Sequence, residues 1–345
     1  MFVKSILTAA ALAAGVNMAS AADISGAGAT FPFPIYAKWA DAYKKDTGNG
    51  LNYQSIGSGA GIKQIRAKTV TFGATDAPLK AEELQKDGLA QWPMVMGGIV
   101  AVVNLDGVKP GDFHIDGPTL AKVYLGEITN WSDPALKALN PSLSLPNLPI
   151  VPVHRADGSG TTFNFTYYLG EVSPEWKDKV GVATTVDWPG GIGAKGNDGV
   201  ANNVATTKGA IGYVEYAYAK QNKMTYALLT NRAGGTVAPS AESFQAAAAN
   251  ADWAKADSYY LILTDQPGSK SWPITGASFI LLYKQPSDPT AVREALKFFA
   301  WAYKDGAQMA EELDYVPLPA SLIAQVKKTW ATEITAGGHP VWTGG

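Results

Sequence analysis

Three segments of this chain share one layout: a β-like run, a glycine-rich turn carrying a hydroxyl residue, and then a helical run. They are Gly26-Ala27-Gly28-Ala29-Thr30-Phe31, Gly57-Ser58-Gly59-Ala60-Gly61 and Asp157-Gly158-Ser159-Gly160-Thr161-Thr162. A chain that repeatedly turns from strand into helix is committed to an α/β fold, with helices covering a parallel sheet. The rest of the sequence keeps that alternation. Ile35, Trp39 and Tyr43 recur at helical spacing within 34–45, and Gly48 stands at the expected stop. Residues 51–56 read as a strand, 62–68 as a short helix and 69–74 as a second strand, in βαβ order. The apolar run 94–103 suits a buried strand. Further on, 118–125, 161–169 and 291–303 read as helices, and 150–154, 210–214 and 274–283 as strands.

At 345 residues the chain exceeds what one core comfortably serves, so two domains are expected. No charged or Pro-Ser linker divides it. A chain that crosses between two lobes more than once within its strands would need no linker, and one lobe would then hold both ends of the mature chain.

Lys4, the apolar run 6–16 and Ala19-Ser20-Ala21 form the pattern of an export signal over residues 1–22, with cleavage expected after Ala21 or Ala22. No later segment approaches about 18 uninterrupted apolar residues, so a soluble mature protein is expected. Cysteine is absent, which excludes thiolate metal sites, a cysteine nucleophile and a cysteine-linked lipid anchor. A periplasmic protein is the simplest expectation. With 28 Lys and Arg against 30 Asp and Glu, nothing points to nucleic acid, so any bound anion is small and locally held.

A helix start leaves its first N–H groups unpaired and carries the positive end of the dipole, and glycine lets an anion approach that backbone. Capping alone would explain any one of Thr30, Ser58 and Ser159. Capping does not explain the charged residues that accompany them. Arg155 offers a planar fork for a tetrahedral oxyanion, and Asp157 two residues later can hold that fork in place or pair with it at the surface. Asp76 follows the strand at 69–75, at the carboxyl end where open α/β sheets bind ligands. A carboxylate beside an anion repels it unless a proton lies between them. Phosphate near neutral pH carries such a proton and sulfate does not, so Asp76 favours phosphate by rejecting its competitor.

The stretches Gly26-Ala27-Gly28-Ala29-Thr30-Phe31-Pro32, Gly57-Ser58-Gly59, Phe72-Gly73-Ala74-Thr75-Asp76-Ala77-Pro78 and Arg155-Ala156-Asp157-Gly158-Ser159-Gly160-Thr161 resemble those of the periplasmic phosphate-binding protein of the phosphate ABC transporter. So do Asn130-Trp131, Gly196-Asn197-Asp198-Gly199, Gly209-Ala210-Ile211-Gly212-Tyr213 and Trp272-Pro273-Ile274. The resemblance covers essentially the whole mature chain. It implies a two-lobed α/β, type II periplasmic binding protein fold with two hinge-crossing strands, near Gly97 to Gly98 and Pro273 to Thr275. Lobe 1 would be 23–98 plus 275–345 and lobe 2 would be 99–274, with phosphate in the cleft. Thr30, the Phe31 N–H, Ser58 and Asp76 would line one wall, and Arg155, Asp157, Ser159, Gly160 and Thr161 the other. The resemblance further implies a monomer that hands inorganic phosphate to membrane permease subunits, with no cofactor and no catalysis.

Other signals are weaker. Gly191-Ile192-Gly193-Ala194-Lys195-Gly196 matches G-x-G-x-x-G, yet Trp188-Pro189-Gly190 is a poor strand end, so a plain loop is expected rather than a dinucleotide site. A phosphoryl-transfer enzyme such as a secreted phosphatase would share the oxyanion clamp but needs a nucleophile or metals. His114, His154 and His339 are too separated for a metal motif, and no G-x-S-x-G occurs. His154 neighbours Arg155 on a strand, where adjacent side chains face opposite ways. The ten Trp are scattered singly, as core anchors rather than a sugar platform. A receptor for another tetrahedral oxyanion, sulfate or molybdate, is the rival that Asp76 argues against.

Overall fold

The computed structural model describes residues 24–344, and the expected export signal lies outside them. Its strands are β1 (Ile24–Gly28), β2 (Leu51–Ser55), β3 (Phe72–Thr75), β4 (Leu89–Val103), β5 (His114–Ile115) and β6 (Val151–Arg155). They continue with β7 (Ile192–Ala194), β8 (Ala210–Glu215), β9 (Thr225–Tyr226), β10 (Leu228–Thr230), β11 (Thr236–Val237), β12 (Thr275–Tyr283) and the paired β13 (Thr335–Ala336) and β14 (His339–Pro340). The main sheet runs β2-β1-β3-β12-β4-β8-β6-β7, with β9 paired to the end of β4. β5, β10 and β11 form a small second sheet.

β4 joins the two halves. Its 15 residues are all buried, as a continuous apolar run predicts for a strand covered on both faces. From Leu89 to Gly98 it pairs with β12, and from Ile99 to Val103 it pairs with β8 instead. The chain thus passes from one half to the other inside a strand, and β12 makes the return where Thr275 pairs with Gly98. The absence of a linker follows. Trp272 Nε1 donates to the Ile99 carbonyl at 2.9 Å and ties the crossings together.

Within each half the strands are parallel: β1 with β2 and β3, and β6 with β7 and β8. The crossing strands are antiparallel to their neighbours, so the expected parallel sheet is a mixed one. A strand that leaves one half and a strand that returns to it must run in opposite directions. The parallel strands of each half end toward the junction between the halves, at Gly28, Ser55 and Thr75 on one side and at Arg155, Ala194 and Glu215 on the other.

The helix Phe33–Thr47 buries Ile35, Tyr36, Trp39 and Tyr43 and stops at Gly48 in the left-handed conformation. It packs on the helix Pro289–Lys304 through Tyr43 and Phe298, with ring centres 5.2 Å apart. Trp39, Trp92, Trp131, Trp176, Trp272 and Trp330 are fully buried. Among the described residues no helix is long and apolar enough to cross a membrane.

Two expectations need correction. The helix expected at 62–68 is Ser58–Arg66, so it begins inside the glycine-rich turn. Its first turn is held by tertiary contact rather than by propensity, since Gly59 N–H donates to the Gly158 carbonyl of the opposite half at 2.9 Å. The stretch at 191–196 is not a plain loop. It forms edge strand β7, in register with Val153 to Arg155, and runs into the helix Gly196–Thr206. Long-range pairing with β6 makes the strand, and nothing local to Trp188-Pro189-Gly190 announces it.

Candidate functional site

The loop after β1 presents Thr30 and Phe31, both buried. The carbonyls of Ala29, Thr30 and Phe31 accept hydrogen bonds from the hydroxyls of Tyr53, Tyr218 and Tyr315 at 2.7, 2.7 and 2.6 Å. In a trans peptide the C=O and the following N–H point in opposite directions. Tyr218 therefore turns the Phe31 N–H away from itself, and among the described residues none accepts a bond from that N–H. Thr30 is not a cap, because Phe33–Thr47 starts after Pro32 without a side-chain capping bond.

The loop after β2 ends in Ser58, the first residue of its helix and also not a cap. Its Oγ accepts the Asp76 N–H at 3.2 Å and the Gly160 N–H at 3.0 Å. Both lone pairs are then engaged, so the hydroxyl proton must be given to something else. Of the three hydroxyl residues expected at helix starts, only Ser159 caps, accepting the Thr162 N–H at 3.0 Å. Capping thus accounts for one hydroxyl of the three.

Glycine allows the two halves to meet here. A Cβ on Gly160 would lie 2.6 Å from both the Asp76 Cβ and the Ser58 Oγ. Gly57, at φ 92°, would carry a Cβ 2.3 Å from Asp157 Oδ2. Asn164 Nδ2 bridges the junction, donating to the Asp76 carbonyl at 2.8 Å and the Gly160 carbonyl at 2.9 Å.

Arg155 closes β6 with its side chain only 1% exposed. Its Nε donates to Asp157 Oδ1 at 2.7 Å and its Nη2 to Asp157 Oδ2 at 2.6 Å, a bidentate pair rather than a surface contact. Burial pushes the Asp157 carboxyl up, but the Arg155 bonds and charge, with the Gly196 N–H at 3.2 Å, outweigh it and leave it below the ordinary range. The Nη1 group faces Thr30 Oγ1 at 3.3 Å and Thr161 Oγ1 at 3.5 Å. Because Asp157 balances Arg155, the junction offers chiefly oriented N–H and O–H dipoles rather than net positive charge.

Asp76, just beyond β3, is 1% exposed. Burial pushes its pKa up to about 7, against the opposing pull of the Ser278 hydroxyl, the Arg155 charge and Ser58. Among the described residues none is placed to bond its Oδ1. An unpartnered buried polar group costs about 1–3 kcal/mol, so this oxygen is retained at a cost to folding. Asp76 is the acceptor in a site otherwise built of donors.

All nine residues singled out from the sequence converge at this junction. Sequence reasoning missed Asn197, fully buried at the start of Gly196–Thr206, whose Nδ2 reaches Thr30 Oγ1 at 2.7 Å and Thr161 Oγ1 at 3.1 Å. It also missed the tyrosines that orient the Ala29–Phe31 backbone. Glu215, at the end of β8, is a further buried carboxyl; burial drives its pKa well above the usual range despite the neighbouring Tyr315 hydroxyl and the bond from the Ala217 N–H. His154 turns away and stacks on Trp188, with ring centres 4.7 Å apart. Among the described residues no group of three or more His, Cys, Asp or Glu is placed to hold a metal ion.

The family described as the PBP superfamily domain matches residues 15–305. The chain is 55% identical over 316 residues to the phosphate-binding protein PstS of Haemophilus influenzae, covering 92% of this chain and 95% of that protein. It is 53% identical over 320 residues to the protein of the same name from Pasteurella multocida, covering 92% and 93%. Among solved structures it resembles the high-affinity periplasmic phosphate-binding protein PfluDING bound with phosphate at pH 8.5. There the TM-score is 0.72 at 23% identity, over 92% of this chain and 96% of that one. At that identity the likeness is one of fold.

Proposed function

This chain belongs to the PstS phosphate-binding proteins of the PBP superfamily, and on that premise we propose how it captures inorganic phosphate for ABC-type import. Thr30, the Phe31 N–H, Ser58, Arg155, Ser159, Gly160 and Thr161 donate to the anion, Asp157 holds the Arg155 fork, and Asp76 accepts the proton that phosphate brings. One observation carries this reading. The Ser58 oxygen is already engaged by two N–H groups, and Asp76 offers an acceptor with an unpartnered oxygen. Such a site matches an oxyanion with one proton to give.

Charge-assisted hydrogen bonds contribute about 1.5–3 kcal/mol each, so several can support binding tighter than about 1 μM after ordering and desolvation costs. The two lobes, 23–98 plus 275–345 and 99–274, close on the ion, a division supported by the switch of β4 from β12 to β8 at Gly98 and Ile99. The loaded, closed form is what permease subunits would receive, in the periplasm after removal of residues 1–22. The chain acts by binding without turnover. In support, His154, the imidazole nearest the site in sequence, is stacked on Trp188, leaving the site hydroxyls without it as a general base.

Titration calorimetry on the mature protein tests this. One saturable phosphate site per chain with little sulfate binding is the expected result. Comparable affinities for the two anions would overturn it.

A further inference from the structure

We infer that Asn197 sets the polarity of the anion cradle: by donating to Thr30 and Thr161 together, it forces both hydroxyls to spend their own protons on the bound ion. The inference rests on reading the junction as a phosphate site. A carboxamide nitrogen carries two protons and accepts nothing. Asn197 Nδ2 has two oxygen neighbours for those two protons, Thr30 Oγ1 at 2.7 Å and Thr161 Oγ1 at 3.1 Å.

The orientation of the amide is determined by its other end. Asn197 Oδ1 accepts the Glu215 N–H at 2.9 Å, and a flipped amide would set donor against donor there. Thr30 Oγ1 also receives the Asn197 backbone N–H at 3.2 Å and faces Arg155 Nη1 at 3.3 Å. Three donors around one hydroxyl oxygen leave no lone pair for a ligand proton. A threonine hydroxyl is ordinarily free to rotate between donating and accepting. Here that freedom is removed by the protein's own donors rather than by the anion, which lowers the ordering cost of binding. Asn197 and Thr30 lie on opposite halves of the molecule, so this alignment is complete only when the halves meet. Asn197 is a positioning residue, acting through the two threonines rather than on the ion.

The test is a mutant cycle on the mature protein, read by phosphate calorimetry and by the unfolding midpoint of the phosphate-free protein. Asn197→Ala should weaken phosphate binding by about tenfold to a hundredfold, the range for loss of groups that orient ligating residues. Added to Thr30→Val with Thr161→Val, the same substitution should change Kd less than about twofold, because no hydroxyl remains to be aligned. An equal loss of affinity in both backgrounds overturns the inference. So does a shift in the unfolding midpoint alone, since a purely structural contact couples in stability and not in Kd. Should Asn197→Ala fail to fold, Asn197→Ser takes its place in the same cycle with the same outcomes. Failure of the wild-type protein to bind phosphate would instead refute the assignment of the site itself, and the inference with it.

Discussion

Replacing Asp76 by asparagine keeps the shape of the side chain and removes both the charge and part of its accepting capacity. In the folded chain Asp76 holds its proton up to about pH 7, against the usual carboxylate range, because it is buried. The raised pKa means that stability is greatest below the ordinary carboxylate range and is lost as the pH rises toward about 7. Full ionisation costs on the order of 4 kcal/mol. Asp76→Asn abolishes that cost, so the phosphate-free variant should unfold at a higher temperature than wild type at pH 8 and not at pH 4.

Binding should move the other way for phosphate. The lost acceptor is worth about 1.5–3 kcal/mol, or roughly tenfold to a hundredfold in Kd. Sulfate, which meets a like charge in the wild type, should bind at least about tenfold better to the variant, since unit charges 4 Å apart repel by about 4 kcal/mol at an effective dielectric of 20. Paired phosphate and sulfate titrations at pH 8, with melting curves at both pH values, measure all of this. If the substitution weakens both anions equally, Asp76 does not work by accepting a proton, and the argument for phosphate over sulfate fails.

Three further outcomes are expected. Wild-type affinity for sulfate should improve as the pH falls from 8 to 5.5, because a protonated Asp76 donates rather than repels, and the Asp76→Asn variant should show no such trend; a flat wild-type profile would contradict this. Asp157→Ala leaves the buried Arg155 guanidinium without its partner and should cost about 3 kcal/mol or more in urea unfolding at pH 7. Because the Asp157 carboxyl lies below its ordinary range, that contribution is present above the ordinary range and fades as the pH falls through the depressed value. Gly160→Ala sets a methyl against Asp76 and Ser58 and should weaken phosphate binding by about tenfold to a hundredfold, the cost of a local overpacking. Unchanged affinity would show that the halves need not meet at this point.

Much of the site was legible because its requirements are local. Gly57, Gly158 and Gly160 mark backbone that must come close to other backbone, and Arg155 with Asp157 is a pair that two residues of strand and turn suffice to make. Asp76 could be placed at a strand end from the apolar run before it. The alternation of strand and helix announced the α/β fold, and the missing linker pointed to chain crossings that β4 and β12 now embody.

Tertiary structure alone decided the direction in which each hydroxyl points. A threonine can donate or accept, and which it does depends on the donors that reach it from elsewhere. For Thr30 those come from Asn197, 167 residues away, and from Arg155, 125 residues away. Asn197 carries no charge, the stretch Gly196-Asn197-Asp198-Gly199 gives it no role, and β7, the strand that leads to it, is held by pairing with β6. The sequence by itself determined that an oxyanion site of glycines, hydroxyls and one charged fork lies at the strand ends, because those residue types answer to the backbone and charge around them. Only the assembled fold made the hydroxyls into donors and left Asp76 as an acceptor, because filling a lone pair takes atoms from both halves at once.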